Sequence, residues 1–378
     1  MNKSKITILG AGLVGGAMAR DLKEKFEVLS VDINEEALSI LNTFGINTKK
    51  ANVLDEGVIE DLADDTDLFI GAVPGWMGYR TLERIIKTGT HCVDISFFPE
   101  NALELNDLAK KHEVIAVVDC GVAPGMGNIL LGHQNNCMKI EEYYCEVGGL
   151  PTVREWPYEY RAVFSPRDVI EEYTRPARFK INNKIIVREA LSDLVMDQYP
   201  GVGTLESWNS DGLRTVLDTM SHIPTMVEKT LRYPGTTQYI KVLRETGYFN
   251  EEPISINGQL IKPIDVTAAL MFPKWKLKEG EREFTVMRII IKGEENGKMK
   301  EVQYYLHDVF DEEKQITSMA RTTGYTCTAL ANMILDGKFN KKGVTPPELI
   351  VDNEDELNYI LQYLKDRNVI YNVTEKYI

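Results

Sequence analysis

Apolar runs and amphipathic stretches alternate along the first 120 residues of the chain. Between the apolar runs lie segments such as "VGGAMARDLKEK" and "NALELNDLAKKH", whose apolar positions recur at helical spacing. Because parallel strands are joined by helical crossovers, this alternation predicts βαβ units and a doubly wound parallel sheet covered by helices on both faces. Six strands are predicted, at residues 5–9, 27–32, 46–50, 67–72, 91–95 and 114–119.

The pattern changes after about residue 140. Turn dipeptides between β-like runs predict hairpins, and helical pieces are interspersed, one of them within "DGLRTVLDTMSHIPTMVEKTL". We therefore expect an α+β region with a mainly antiparallel sheet. The turn dipeptides are Asn182-Asn183, Asn257-Gly258 and Asn296-Gly297.

From Ser318 a helical pattern returns and runs to Gly337. It is followed by "GVTPPELI", predicted to be an extended connector, and by the amphipathic helix "NEDELNYILQYLKDRNV". The predicted fold class is α/β. A Rossmann-type domain (1–125) is followed by an inserted α+β domain (126–317), and a C-terminal segment (318–378) returns to the first domain.

Charge and composition narrow the function classes. The formal net charge of −14 disfavours a general nucleic-acid binder, because phosphate contacts need concentrated Lys and Arg. No stretch has the ~18 apolar residues of a membrane span, and the N-terminus lacks a secretory signal pattern. Five dispersed cysteines without a CxxC pair predict reduced thiols in a cytoplasmic protein. The histidines are equally dispersed, so no metal site is expected.

The segment "GAGLVG" follows the first predicted strand and opens a helix. Gly10 permits a tight turn, Gly12 lets the backbone approach a pyrophosphate, and Gly15 allows the helix to pack closely on the sheet. The helix N-terminus then offers free N–H groups to the phosphates. The predicted cofactor contacts of this loop are Gly10, Ala11, Gly12, Leu13, Val14 and Gly15.

Asp32 ends the second predicted strand, 22 residues after Gly10. A carboxylate at this place can accept hydrogen bonds from the adenosine ribose and repels a 2′-phosphate. The next residues, Ile33 and Asn34, are also expected at the cofactor and include no arginine that would neutralise an extra phosphate. The sequence therefore predicts NAD rather than NADP. The alternative is that Asp32 only caps the helix beginning near Asn34.

Further cofactor contacts are expected at the carboxyl ends of the later strands, where open α/β sheets bind ligands. Plain packing is the rival explanation for each. Cys120 has no histidine close in sequence, and direct hydride transfer needs no thiol, so we expect a wall against the nicotinamide rather than a nucleophile. These contacts are Val53, Val73, Pro74, Asp94, Ile95, Cys120 and Gly121.

The segment "DCGVAPGMGNIL" (119–130) resembles the saccharopine dehydrogenase-like superfamily, and within it most closely the lysine 6-dehydrogenases. The resemblance continues through "FSPRDVIEEYTRPA", "GTLESWNSDGLRT", "EKTLRYPG", "MARTTGYT" and "GVTPPELI", in the family's order over almost the whole chain. It implies NAD-dependent oxidative deamination of L-lysine at the ε-carbon, giving ammonia and allysine, which cyclises to piperideine-6-carboxylate.

Two other activities stay open. One is reductive condensation of an amine with a semialdehyde, as in saccharopine and carboxynorspermidine dehydrogenases. The other is an NAD-sensing Rossmann protein without turnover. Saccharopine reductases carry an arginine within the segment here written "NSDG" (209–212), and its absence fits a substrate with one carboxylate fewer.

Lysine deamination requires a neutral ε-amine, because hydride leaves the carbon only as nitrogen donates its lone pair. The site must therefore lower the pKa of the amine or supply a base, and the α-carboxylate needs a cation. For the carboxylate we nominate Arg232 and then Arg214. Asp211 and Glu146 are candidates for amine binding or for the base, and Tyr173 for positioning the substrate. Ordinary ion pairs or half-buried packing are the alternatives.

The expected partners follow from these inferences. A small amino acid is the expected substrate, without nucleic acid or membrane. An exposed face of the antiparallel sheet in the second domain suggests a homodimer or a tetramer.

Overall fold

Two compact units make up the chain in the computed structural model, which describes residues 3–278 and 280–378. The first unit comprises Met1–Lys139, Arg214–Thr219 and Met319–Ile370, and the second comprises Ile140–Leu213, Met220–Ser318 and Tyr371–Ile378. The sequence placed the first boundary at residue 125 and all of 318–378 with the first domain. In the structure, helix Met126–Cys137 still belongs to the first unit, and residues 371–378 belong to the second.

A seven-stranded parallel sheet forms the centre of the first unit. Its strands are β1 (Lys5–Leu9), β2 (Glu27–Asp32), β3 (Asn47–Lys50), β4 (Leu68–Gly71), β5 (His91–Asp94), β6 (Ile115–Val117) and β17 (Gly343–Thr345). The order across the sheet is β17-β6-β5-β4-β1-β2-β3, so the strand order reverses between β1 and β4. Ligands of open α/β sheets bind at the carboxyl ends of the strands beside such a reversal. The predicted α/β class and all six predicted strands are confirmed.

Helices connect these strands, and the strands' apolar side chains enter a core that includes Phe69, Cys92 and Val117. The helices of this unit are α1 (Leu13–Leu22), α2 (Glu35–Thr43), α3 (Val58–Ala63), α4 (Gly75–Thr88), α5 (Asn106–Lys111), α6 (Met126–Cys137), α8 (Val216–Thr219), α11 (Ser318–Leu335) and α12 (Glu354–Lys365), with 3-10 turns at Ala102–Leu105 and Pro347–Leu349. Helix α11 begins at Ser318, which is the last residue of the second-unit segment Met220–Ser318, and the rest of the helix belongs to the first unit.

Strand β17 corrects the prediction that "GVTPPELI" is only a connector. Gly343–Thr345 pairs in parallel with β6, with Gly343 opposite Ile115. The strand ends at Pro346, which has no N–H to continue a ladder. Three residues are too few to leave an alternating pattern, so the sequence could not distinguish this edge strand from an extended loop.

A nine-stranded, mainly antiparallel sheet dominates the second unit. Its strands, with the separate hairpin β13–β14, are β7 (Lys139–Pro151), β8 (Ala177–Ile181), β9 (Lys184–Arg188), β10 (Val195–Tyr199), β11 (Gly203–Asn209), β12 (Thr225–Arg232), β13 (Ile254–Ile256), β14 (Gln259–Ile261), β15 (Glu283–Glu295), β16 (Lys298–Val309) and β18 (Asn372–Tyr377). The order is β10-β11-β12-β7-β15-β16-β18, and β8 pairs with both β12 and β9. Strands β12 and β7 run parallel.

The three predicted hairpins are confirmed. They join β8 to β9, β13 to β14 and β15 to β16. Each has the positive φ angles in its turn that Asn and Gly tolerate best. The turns lie at Asn182-Asn183, Asn257-Gly258 and Asn296-Gly297.

The helix predicted within residues 211–231 is largely wrong. Only α8 is helical there, and residues 225–232 form the interior strand β12 instead. Nearly every residue of β12 is buried, so its two faces do not alternate between apolar and polar. A short continuous apolar run of this kind fits a buried helix as well as a buried strand.

Aromatic side chains fill the core of the second unit beside its helices. Trp208 and Trp275 are fully buried, and the ring centroid of Trp275 lies 5.5 Å from that of Tyr160 and 6.2 Å from that of Tyr173. The helices are α7 (Pro166–Thr174), α9 (Thr236–Thr246) and α10 (Pro263–Trp275). Within the described residues, no helix of either unit combines the length and the apolar character needed to span a membrane.

Candidate active site

The glycine-rich loop after β1 has the backbone shape that a dinucleotide requires. Gly10 has a φ of +114°, and a Cβ there would lie 2.3 Å from the carbonyl oxygen of Ala72. A Cβ on Gly15 would lie 2.0 Å from the carbonyl oxygen of Gly10, so neither position accepts a side chain. At Gly12, no described atom beyond the adjoining backbone lies within 4 Å of an ideal Cβ. The loop is tightly packed on its inner side and open at Gly12.

Helix α1 begins directly behind this opening, with Leu13 and Val14 in its first turn. Gly12 is its N-cap and places no side chain over the first-turn N–H groups. Such groups have no intrahelical acceptor, and the helix dipole favours negative charge beside them. The opening and these donors fit a pyrophosphate.

Asp32 ties the end of β2 to the glycine loop. Its Oδ2 accepts the N–H of Ala11 at 2.6 Å, and its Oδ1 accepts the N–H of Asn34 at 2.8 Å. The cap of α2 is Asn34, whose side chain accepts the N–H groups of Glu36 and Ala37. The alternative that Asp32 caps this helix is therefore wrong. Each carboxylate oxygen has a second lone pair that ribose hydroxyls can use.

The surroundings of Asp32 are acidic. Glu35 and Glu36 occupy the first turn of α2, and the neighbouring cation, Lys50, forms an ion pair with Glu35 at 2.8 Å. Ile33 is 65% exposed and contributes no charge. The charges described beside Asp32 are therefore mainly negative.

The remaining predicted cofactor residues divide between core and edge. Val53 and Val73 are buried in the apolar core of the first unit. Pro74 is the N-cap of α4, and the N–H of Ile95 donates to the carbonyl of Gly71 at 2.9 Å. Val73 and Pro74 follow β4 and Ile95 follows β5, so all three lie at the carboxyl ends of the sheet.

Asp94, the last residue of β5, is fully enclosed. Its Oδ1 accepts the N–H of Ser96 at 2.8 Å, and its Oδ2 accepts the Ser96 hydroxyl at 3.2 Å. A Cβ on Gly71 would lie 1.8 Å from Oδ2, so the neighbouring strand needs glycine at this place. Burial raises the pKa of Asp94 to about 8, and the negative charge of Asp119 adds to the increase. Asp94 therefore holds a proton at neutral pH.

A second buried carboxylate follows β6. Asp119 Oδ2 lies 2.9 Å from Nε of Arg214, which belongs to the first unit and also donates to the carbonyl oxygen of Phe98. Both Asp119 and Arg214 have left-handed backbones, with φ of 52° and 49°. Asp119 Oδ1 is buried and has no hydrogen-bond partner among the described residues. Such strain in non-glycine residues is concentrated at functional sites.

Cys120 is held as a thiol. Burial raises its pKa far above the usual range, and Asp119 and Asp94 add to the effect. Its Sγ faces the carbonyl oxygen of Thr326 at 4.0 Å. Because the thiolate is the reactive form, this shift disfavours Cys120 as a nucleophile. Gly121 begins the tight turn into α6, where a Cβ would lie 3.2 Å from the methyl group of Thr323.

In the second unit, Arg232 lies among aromatic rings at the end of β12. Its Nη2 forms an ion pair with Glu172 at 2.5 Å and lies 3.5 Å from the hydroxyl of Tyr160, while Nε lies 3.4 Å from the hydroxyl of Tyr173. Burial raises the pKa of Glu172, although Arg232 opposes this shift. The buried indole N–H of Trp208 has no acceptor among the described residues. The cluster is rich in hydrogen-bond donors, and Glu172 is the carboxylate that forms an ion pair with Arg232.

Asp211 and Glu146 also lie in the second unit, at different places. Asp211 is bidentate with Arg178, with nitrogen–oxygen distances of 2.8 and 3.0 Å. Glu146 Oε2 accepts Nε of Arg288 at 2.7 Å and the hydroxyl of Tyr199 at 2.9 Å. To bind a substrate amine, Asp211 or Glu146 would have to accept hydrogen bonds from the amine and from its arginine at the same time.

Of the five predicted catalytic residues, the structure brings Arg232 and Tyr173 into contact. It places Arg214 with Asp119, which sequence reasoning passed over. Asp119 is the last residue of the sixth predicted strand, and this position at the carboxyl end of a strand was the available signal. Glu172 carried no signal, because its partner is 60 residues away in sequence.

Comparisons with known proteins concern the family and the fold of this chain. A family model described as "Saccharopine dehydrogenase NADP binding domain" matches residues 6–117, and one described as "Saccharopine dehydrogenase C-terminal domain" matches residues 121–370. A saccharopine dehydrogenase [NADP(+), L-glutamate-forming] from Schizosaccharomyces pombe is 24% identical over 90% of this chain and 93% of its own length. Carboxyaminopropylagmatine dehydrogenase from Synechocystis is 21% identical over 90% of this chain and 91% of its own length.

Two further comparisons concern length and fold. The mouse mitochondrial alpha-aminoadipic semialdehyde synthase is 24% identical over 66% of this chain, which spans only 29% of that protein. The apo saccharopine dehydrogenase (L-Glu forming) of Saccharomyces cerevisiae superposes with a TM-score of 0.78 at 19% identity, over 99% of this chain and 100% of that one. The comparisons therefore show the saccharopine dehydrogenase family. The closer resemblance to lysine 6-dehydrogenases stays a prediction.

Proposed function

This chain belongs to the saccharopine dehydrogenase family of NAD(P)-dependent dehydrogenases, and we propose that it oxidises a secondary amine that joins an amino acid to a second carbon chain. In the reverse direction the reaction is the reductive condensation of an amine with a semialdehyde. One observation carries this proposal. Two relatives that this chain matches over nine-tenths of both lengths are dehydrogenases of saccharopine and of carboxyaminopropylagmatine.

For the cofactor we propose NAD. When bound, it supplies the hydride acceptor. The N–H groups at the start of α1 would bind the pyrophosphate above Gly12, and Asp32 would accept the hydroxyls of the adenosine ribose. The acidic first turn of α2, with Glu35 and Glu36, supports NAD over NADP because it repels a 2′-phosphate. Cys120 and Gly121 would form the wall against the nicotinamide.

For proton handling we propose Asp94. The substrate amine must lose its proton before hydride leaves the adjacent carbon, and a base is most effective when its pKa lies near the working pH. With a pKa near 8, Asp94 becomes a carboxylate that can accept this proton at alkaline pH. Asp119, which is paired with Arg214 through Oδ2, would orient groups through its Oδ1.

For the substrate carboxylate we propose Arg232, with Tyr173 beside it. Glu172 would share the guanidinium with the incoming carboxylate. The indole N–H groups of Trp208 and Trp275 support this role, because both are buried donors without an acceptor among the described residues. Asp211 and Glu146 remain candidates for binding the substrate's amino groups through their outer oxygens.

A second candidate is oxidative deamination of L-lysine. The observation that favours it is the segment Asn209–Gly212, which contains no arginine for a second substrate carboxylate. In the structure a Cβ on Gly212 would lie 1.6 Å from an oxygen of Glu228, so a side chain at this position would displace the Glu228 carboxylate.

The two candidates differ in their products. The test follows absorbance at 340 nm with NAD or NADP and, in turn, saccharopine, carboxyalkyl amines and L-lysine, and then identifies the nitrogenous product. Release of an amino acid or amine from a secondary amine supports the first proposal. Ammonia from lysine supports the second. Cofactor binding without reduction by any of these amines would contradict both and would favour an NAD-sensing protein.

A further inference from the structure

Trp76 is an exposed tryptophan at the edge of the sheet in the first unit. The chain has four tryptophans, and Trp208 and Trp275 are buried in the aromatic core of the second unit. Trp76 is 62% exposed, although its neighbours Gly75 and Met77 are buried. Exposed indole surface is unfavourable in water, and tryptophan is enriched where another molecule binds. Helix α4 therefore turns this side chain outward, where a ligand can cover it.

The position of Trp76 follows from the strand that precedes it. Helix α4 begins four residues after β4 ends at Gly71. The N–H of Ala72 donates to the carbonyl of Leu9 at 2.9 Å, and an ideal Cβ on Gly10 would lie 2.3 Å from the carbonyl oxygen of Ala72. The chain that leads into α4 is therefore in contact with the dinucleotide loop. Trp76, in the first turn of α4, lies at the same carboxyl edge of the sheet.

The order of the strands assigns Trp76 to one half of the cofactor. Strand β1 lies between β4 and β2. Asp32, the proposed ligand of the adenosine ribose, ends β2, whereas Trp76 follows β4. A pyrophosphate above Gly12 lies at the end of β1, so the two halves of a dinucleotide extend to opposite sides of that strand. The adenosine half then occupies the β2 side, and the nicotinamide half occupies the β4 side, where Trp76 lies.

We propose that Trp76 is a cofactor-binding residue whose indole packs against the nicotinamide ring, an inference that rests on the proposed nicotinamide cofactor. This ring is flat and aromatic and carries a positive charge when oxidised, so ring contact and cation–π attraction both favour an indole beside it. Leu13, at the start of α1, is 49% exposed and adds a second apolar side chain at the same edge. The pyrophosphate and the riboses are polar and gain little from such surface, which leaves the nicotinamide ring as the part that suits it.

The test compares NADH with ADP-ribose, which contains the adenosine, the pyrophosphate and the second ribose but no nicotinamide ring. Trp76→Ala removes the indole, and Trp76→Phe keeps a flat aromatic side chain. The matched control is Trp156→Ala, because Trp156 lies in the second unit and is 82% exposed. Titration calorimetry gives the dissociation constants of NADH, NADPH and ADP-ribose, and thermal unfolding checks that each variant is folded.

We expect Trp76→Ala to raise the dissociation constant of NADH at least ~10-fold and that of ADP-ribose less than ~2-fold, with Trp76→Phe between the wild type and Trp76→Ala. Trp156→Ala should bind both ligands as the wild type does. An unchanged NADH affinity in Trp76→Ala, equal weakening of NADH and ADP-ribose, or an equal loss in Trp156→Ala would overturn the inference.

The same titrations separate this inference from the proposed cofactor. NADPH carries the same ring, so Trp76→Ala should raise its dissociation constant by the same factor. A wild type that prefers NADPH would contradict the proposed NAD but not the role of Trp76. A wild type that binds neither NADH nor NADPH would contradict both.

Discussion

The Asp32→Ala substitution tests the cofactor assignment most directly. Asp32 has two oxygens, each already accepting one backbone N–H, from Ala11 and Asn34. The second lone pair of each oxygen is available to a ribose hydroxyl. Alanine removes both ribose bonds and the negative charge together, so both affinity and selectivity should change.

The magnitude follows from these contacts. A hydrogen bond to a charged group contributes about 1.5–3 kcal/mol, and the half-buried position of Asp32 argues for the lower value. Two lost bonds then weaken NAD by about 3 kcal/mol, or roughly 100-fold in dissociation constant. For NADP the loss of repulsion between carboxylate and 2′-phosphate, on the order of 1–4 kcal/mol, offsets this cost. The preference for NAD should therefore fall by roughly two orders of magnitude.

The assay is fluorescence titration with NADH and NADPH, with thermal unfolding as a control for folding. Asp32→Asn keeps an acceptor oxygen for one of the two backbone N–H groups and should lose less stability than Asp32→Ala. Glu35→Ala is the matched control, because it removes an exposed carboxylate three residues away. It should change selectivity by only a few fold. If Asp32→Ala is folded and keeps the wild-type ratio of NADH to NADPH affinity, the ribose assignment is refuted. An equal shift in Glu35→Ala would assign selectivity to the general acidic field instead.

Three further predictions concern the loop and the buried carboxylates. Gly12→Ala should unfold at the wild-type temperature but bind NADH at least ~10-fold more weakly, whereas Gly10→Ala should be markedly unstable. Calorimetry measures the unfolding temperature and titration measures NADH affinity. Equal behaviour of the two variants would contradict the prediction. Because the pKa of Asp94 is raised to about 8, the folded state binds more protons than the unfolded state from about pH 4 to 8, so its contribution to stability falls as the pH rises through that range. Asp94→Asn should remove this fall and unfold at a higher temperature than the wild type at pH 9; parallel pH profiles in differential scanning would count against it. Glu172→Gln leaves the buried Arg232 without its anion and should lower the free energy of unfolding in urea by about 3 kcal/mol. The exposed neighbour is the control, and Glu171→Gln should lower it by less than ~0.5 kcal/mol. Similar losses in the two variants would refute the pairing of Glu172 with Arg232.

Local patterns were sufficient for much of the first unit. Strands β1 and β2 have the predicted bounds, and the other four predicted strands differ by two residues or fewer at either end. The glycine loop and Asp32 could be located because their signature lies within one strand–turn–helix segment. The three hairpins were predictable for the same reason, since two turn residues determine each of them.

The candidate site depends on pairings between distant parts of the chain. Asp119 and Arg214 are 95 residues apart, and Arg232 lies 60 residues from Glu172. An arginine that pairs with a buried carboxylate has the same local pattern as one at the surface. For this reason the sequence identified Arg214 and Arg232 as candidates but not Asp119 or Glu172 as their partners.

The sequence by itself determined the α/β class, the dinucleotide loop and the hairpin turns, because each is encoded by residues that are close along the chain. Only the tertiary structure decided that residues 225–232 form an interior strand, that residues 343–345 complete the parallel sheet, and that Asp94 is enclosed with its proton. Burial and long-range pairing depend on which surfaces meet after folding, and a periodicity read along one segment contains no record of the segment that will cover it.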